Sequence, residues 1–318
     1  MFNESDYSFA RYLSSKKSVD DRSLNRCVWG KLRSVIASEY SKKTLKILEI
    51  GAGIGTMFER SIDWGLFNRA HYTAIDAMLD NVSEAKARIP GWAYNVGYCV
   101  KEIADSELKL SGSGTDVALK LEAGDFFEFA RVEQAASTWD LIIANAFLDL
   151  VDVRKTLPIT MNLLKPGGLL YFTINFDGAT IIEPEIDAEF DALVERLYHQ
   201  TMDSRITDGS ISGDSKTGRH FFEVARKNGL EILEAGSSDW AVFAGKDGYR
   251  EDEGYFLHFI IHTMYLALRD RPELDRKRFK NWIEKRHAQV EDRELVYIAH
   301  QLDFLCRKPD ASGSENQL

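Results

Sequence analysis

Leu45-Lys46-Ile47-Leu48-Glu49-Ile50-Gly51-Ala52-Gly53-Ile54-Gly55-Thr56 is the stretch on which the fold turns. A short apolar run stops abruptly on alternating glycines, which is how a buried strand entering a tight turn reads. Glycine lets the chain turn sharply and lets a ligand approach the backbone. In an open parallel sheet, the carboxyl ends of the strands form the ligand crevice. A dinucleotide loop needs GxGxxG. Gly51-x-Gly53 is followed at the required place by Thr56, and Gly53-x-Gly55 by Phe58, so neither register fits. An ExGxGxG register from Glu49 to Gly55 does fit.

Working outward, similar apolar runs recur at 72–75 (YTAI), 139–144 (WDLIIA) and 169–174 (LLYFTI). Lys165-Pro166-Gly167-Gly168 stops a helical stretch just before the last of these. Between the runs lie helical patterns. Residues 23–40 place Leu24, Val28, Leu32 and Val35 on one face, with Ser23 as the expected N-cap. Residues 78–88 form another, expected to close at Pro90-Gly91. Residues 108–121 alternate around a Ser/Gly turn and predict a hairpin. Further on, 220–228 reads as a helix with Gly229 just past its end, and 255–268 as a second helix. Residues 231–233, 240–243 and 295–305 read as strands, and the tail from Pro309 as disordered.

Strands alternating with helices predict an α/β fold: a Rossmann-like, mostly parallel sheet covered by helices on both faces. Residues 1–44 form an N-terminal helical cap. Residues 45–308 form a single domain, with C-terminal helical insertions near 177–218 and 254–293.

The chain has 318 residues, a net charge of −10 and three cysteines. The acid balance argues against a general nucleic-acid binder or an anionic-membrane binder. Cys27, Cys99 and Cys306 are far apart and form no CxxC pair, so neither a disulfide framework nor a zinc site is expected. A reducing cytoplasm is the default compartment. The N-terminus has no basic stretch leading into an apolar run, and no apolar stretch approaches the ~20 residues that span a bilayer.

Four elements in order resemble the class I S-adenosylmethionine-dependent methyltransferases. The ExGxGxG loop is similar to their first motif. Asp76 ends the next run, about the ~20 residues beyond the loop at which an acid reaches ribose hydroxyls. Gly124-Asp125-Phe126 resembles their adenine-binding element. Residues 140–146 (DLIIANA), followed by LLKPGGLLYFTI, resemble their fourth strand and the lead-in to the fifth. The resemblance covers about residues 45–176 and implies a seven-stranded sheet. It implies that Glu49, Gly51, Ala52, Gly53 and Gly55 face the cofactor's amino-acid part. Asp76 and Ala77 would hold the ribose, Asp125 and Phe126 the adenine. Asn145, Ala146 and Phe147 would lie near the methyl donor. Strand four ends Asn145-Ala146-Phe147 where one adenine- and glutamine-methylating subset has Asn/Asp-Pro-Pro-Tyr/Phe.

A sulfonium methyl is already activated, so the protein mainly aligns a nucleophile with it. A base is needed only for a protonated acceptor, and Asp149 and His220 are the candidates. Asp152 is a third, and the Asp149/Asp152 pair also reads as a helix start. Tyr7, Tyr12 and Trp29 are candidate lid residues. Trp240, Tyr255, Phe256 and Phe259 are candidate walls of an acceptor pocket, with His258, His262 and His300 as core or wall. The basic run 269–287 reads as a solvated helix face. The expected reaction is methyl transfer to a small molecule, with S-adenosylhomocysteine as product. The rivals are RNA or protein methylation, aminopropyl transfer and a non-catalytic cofactor-binding scaffold. The acceptor atom and the oligomeric state are open.

Overall fold

The computed structural model describes residues 7–133, 137–207 and 209–310. The expected disordered tail falls, past Asp310, outside them. The chain opens with α1 (Phe9–Ser23) and α2 (Arg26–Glu39), then β1 (Leu45–Ile50), α3 (Thr56–Asp63), β2 (Arg69–Asp76) and α4 (Leu79–Asn95). A meander follows: β3 (Cys99–Ala104), β4 (Glu107–Gly112) and β5 (Thr115–Ala123). Next come α5 (Phe126–Glu133), β6 (Trp139–Asn145), α6 (Val153–Leu163) and the long β7 (Leu164–Glu183). The rest is α7 (Ala188–Asp203), β8 (Ile206–Thr207), β9 (Ser210–Ile211), α8 (Thr217–Lys227), β10 (Glu231–Ser237), β11 (Trp240–Val242), α9 (Glu253–Leu268), α10 (Arg276–Glu291) and β12 (Val296–Arg307).

The main sheet runs β10-β12-β7-β6-β1-β2-β5-β4-β3, with β11 also paired to β12. Strands β5, β2, β1, β6 and β7 are mutually parallel. Strand β12 is antiparallel to both β7 and β10. Among the described residues the sheet therefore has ten strands, not seven. The three beyond the expected set are β3 and β4, which extend one edge, and β11.

Alternate residues of the central strands enter two separate cores. Ile47, Leu141, Ile143, Leu169 and Tyr171 join helices α2, α3 and α4 on one face. Leu48, Ile142, Ala144, Leu170 and Phe172 join α5, α6 and α8 on the other. Strands apolar on both sides are what a sheet sandwiched between helices requires.

Two local expectations are corrected. Asn25, not Ser23, caps α2: its side chain accepts from the amides of Cys27 and Val28, while Ser23 ends α1. Helix α4 does not close at Pro90-Gly91 but runs on to Asn95. Buried Ile89 and Ala93 hold that last stretch to the core, so packing overrides the local breakers. Within 269–287, Phe279, Trp282, Ile283 and Arg286 are buried, so the basic run is one side of an amphipathic helix. No helix among the described residues is long and apolar enough to cross a membrane.

Candidate functional site

The chain leaves β1 to fill one edge of the sheet with β2 and β5, then returns to place β6 and β7 on the other side of β1. At that reversal, loops diverge from the ends of β1 and β6 and leave a crevice. A cavity of about 570 Å³ lies there. That volume is ordinary for a small-ligand site.

Its outer half is built from the loops that follow four strands. After β1, Gly51, Gly53 and Gly55 all adopt left-handed φ, of 66°, 56° and 82°. A Cβ on Gly55 would sit 2.9 Å from Ile89 Cδ1, and one on Gly53 3.2 Å from Leu13 Cδ1. The loop thus needs glycine for both its conformation and its close packing. After β2, the buried carboxylate of Asp76 accepts from Gly53 N at 2.8 Å through Oδ2. Its Oδ1 accepts from Met78 N at 2.9 Å and Asn81 Nδ2 at 3.0 Å. One acid ties the glycine loop to the start of α4 and keeps one acceptor position on Oδ2 free. After β5, Asp125 starts α5, its Oδ1 taking the amides of Phe127 and Glu128 at 2.8 and 3.1 Å. After β6, Asn145 Oδ1 accepts from Thr173 Oγ1 at 2.8 Å, and Ala146 takes a left-handed φ of 52°.

Glu49 lies beneath the loop and is almost wholly buried. Burial pushes its carboxyl up to about 8, despite the Tyr72 hydroxyl donating to Oε2 at 2.6 Å and the nearby Arg60. At neutral pH this acid holds its proton, because desolvation outweighs one hydrogen bond and one cation already paired to Asp21.

The inner half draws on distant segments. Helix α1 supplies Tyr12, Lys16 and Asp20; β7 supplies Phe176 and Thr180; α7 supplies Tyr198 and Met202. Arg205, Trp240, Tyr297 and Gln301 also line it. Lys16 donates to Asp20 at 2.6 Å, and Trp240 Nε1 donates to the other Asp20 oxygen at 3.0 Å. Asp149 enters from the 3-10 turn Leu148–Leu150 that follows β6. It keeps some accessible surface yet is densely surrounded by protein, the combination that a cavity wall produces. Burial raises its carboxyl above the ordinary range.

The structure therefore gathers Glu49, Gly51, Ala52, Gly53, Asp76, Ala77, Asp125, Phe126, Asn145, Ala146, Phe147 and Asp149 around one cavity. Gly55 stands behind it as the N-cap of α3. His220 is placed elsewhere, exposed on α8 with Nδ1 2.6 Å from Asp214. Tyr12 and Trp240 are on the wall, whereas Trp29 is core, packed edge-on against Trp64 and Tyr171. His258 is buried against His287, and His300 bonds Asp239 at 2.8 Å.

The strand order and glycine loop define a Rossmann-like fold. Among solved structures, the chain is similar to a phosphoethanolamine N-methyltransferase of Haemonchus contortus in complex with phosphomonomethylethanolamine and S-adenosylhomocysteine. Identity is 12% and the TM-score 0.42, over 95% of this chain but 58% of that one. It is also similar to an arsenic(III) S-adenosylmethionine methyltransferase of Chlamydomonas reinhardtii (16% identity, TM-score 0.40, 85% of this chain and 64% of that). A cyclopropane synthase of Mycobacterium tuberculosis is a third (9% identity, TM-score 0.42, 95% and 99%). These are likenesses of fold; what each protein acts on is its own property. No family model matches the chain, and no curated protein matches it.

Proposed function

We propose that the chain is a methyltransferase that binds S-adenosylmethionine and methylates a small molecule by in-line displacement, leaving S-adenosylhomocysteine. The observation that supports this best is the continuity of one cavity. It runs from a left-handed glycine loop and two strand-end acids to an aromatic inner chamber. The cradle fits the cofactor: the glycines offer backbone without side chains, and Asp76 keeps an acceptor position open.

When bound, the cofactor supplies an activated methyl group on a sulfonium. Glu49 and residues 51–53 face its amino-acid part, with Gly55 setting the turn. Asp76 and Ala77 hold the ribose, Asp125 and Phe126 the adenine. Asn145, Ala146 and Phe147 stand beside the reacting end. Asp149 follows two residues later and accepts a proton from the acceptor. Helix α1 closes over the cavity, so that water is excluded and the reactants are held in line. A cavity of this size suits a small molecule better than a polymer.

Calorimetric titration tests the reading. S-adenosylmethionine and S-adenosylhomocysteine should both bind in the micromolar range, and Asp76→Ala should weaken both. Absence of binding to either removes the proposal. Tighter binding of the decarboxylated donor would point to aminopropyl transfer instead.

A further inference from the structure

Of the two acids in the inner chamber, Asp20 and Asp149, the second has no cation in contact with its carboxylate among the described residues. Arg205 donates to the Asp149 carbonyl oxygen at 3.1 Å, not to its carboxylate. Lys16 is committed to Asp20. Asp149 Oδ1 is buried with no hydrogen-bond partner. The rings of Tyr12, Phe176, Tyr198, Trp240 and Tyr297 line the same cavity, with Lys16 already over the Trp240 ring. Aromatic faces attract a cation, most strongly where water is excluded. A carboxylate with no cation in contact, on the wall of the same cavity, favours one there. Lys16 and Arg205 act on this carboxylate only through space, so an ammonium would make its first direct ion pair.

We propose that the methyl acceptor is an amine on an apolar body, its nitrogen seated between Asp149 and the aromatic wall. The proposal rests on the methyltransferase reading above. Ile174, Met202 and Ile260 supply the apolar lining for the body, and Leu150, exposed at the same cavity, extends it outward. The amine enters as an ammonium, which has no free electron pair. One N–H bond breaks, an O–H bond forms on Asp149, and the pair stays on nitrogen as the nucleophile. Desolvation raises the carboxylate's proton affinity, which suits it to that transfer.

The test uses the full chain saturated with S-adenosylhomocysteine, with 2-phenylethylamine and the neutral 2-phenylethanol as probes, followed by calorimetry. The wild type should bind the amine roughly tenfold or more tightly than the alcohol. In Asp149→Asn the preference should vanish while S-adenosylhomocysteine affinity stays unchanged, which also reports that the variant is folded. Equal affinity for both probes, no measurable binding of either, or a preference that survives in Asp149→Asn overturns the amine seat. Each of these leaves the methyltransferase reading standing, because the cofactor product still binds. Failure of the wild type to bind S-adenosylhomocysteine overturns that reading, and the amine seat with it.

Discussion

Tyr72 donates its hydroxyl to Glu49 at 2.6 Å, across the parallel pair β1 and β2 and directly under the glycine loop. The pair couples the loop's foundation to pH. Glu49 holds its proton up to about 8 in the fold, against an ordinary value of 4.5. A raised folded value means that the native state binds the proton more tightly than the unfolded chain. The stabilisation is complete below about pH 4.5 and is lost as pH climbs through 8. A tenfold difference in proton affinity between the two states is worth about 1.4 kcal/mol, so the swing is on the order of a few kcal/mol. Glu49→Gln cannot titrate. Urea denaturation at pH 5 and pH 9 should therefore show the wild type losing more stability between the two than the variant does. Parallel pH dependences would show that Glu49 is ionised in the fold.

Gly55 is constrained twice. Its φ of 82° disfavours any L side chain, and a Cβ would meet Ile89 Cδ1 at 2.9 Å. Gly55→Ala should cost about 1–3 kcal/mol from left-handed strain alone, with the contact added to it. Combining it with Ile89→Val should recover only the contact. Thermal melts of the two single variants and the double separate the contributions. Full recovery in the double variant would mean that the backbone constraint is negligible.

Asp76 takes three protein N–H groups with one carboxylate and keeps an acceptor position free. Asp76→Asn retains the size but loses acceptor capacity, because its NH₂ donates. The variant should be destabilised by about 1–3 kcal/mol for the stranded amides. Its affinity for S-adenosylhomocysteine should drop at least about tenfold, the fold-change of one interaction of about 1.4 kcal/mol. A variant that melts early yet binds normally would confine Asp76 to holding the loop.

The outer half of the cavity is legible in the sequence because glycine and strand-end acids are local signals. Gly51, Gly53 and Asp76 each stand beside an apolar run whose period marks a strand. The inner half is not. Helix α1 escapes the apolar pattern because its buried positions include Ser15, Lys16, Ser18 and Asp20, which break the period. Those polar residues are buried because they meet partners far along the chain, such as Ser18 with Glu253 at 2.7 Å and Asp20 with Trp240. The local signals present are the Ser8 cap and the i,i+4 pairs Lys16–Asp20 and Lys17–Asp21. The apolar run of β7 stops at Ile174, where φ turns to +56°. Nothing in FTINFDG announces that the strand continues to Glu183, because its partner for that stretch is β12, more than a hundred residues later.

That turn at Ile174 is held from outside. A β-branched residue in the left-handed region is strained. Asp303, wholly buried on β12, accepts from Ile174 N at 2.8 Å and from Asn25 N at 2.8 Å. One side chain thus fixes both a cavity-lining turn and the entry to α2. Burial raises the Asp303 carboxyl to about 6, so its ionisation opposes the fold as pH rises from about 4 through 6, in the same sense as Glu49. Asp303→Asn presents only one accepting oxygen to two amides and should cost about 1–3 kcal/mol. Strain makes a second, sharper comparison available. Ile174→Gly loses buried side-chain contacts, as Ile143→Gly does on β6, since both residues are buried. Only at Ile174 does glycine also relieve the left-handed backbone, which is worth about 1–3 kcal/mol. Ile174→Gly should therefore be less damaging than Ile143→Gly by about that amount, measured by denaturant midpoint at fixed m-value. Equal losses would show that the turn is unstrained and that Asp303 merely fills its place.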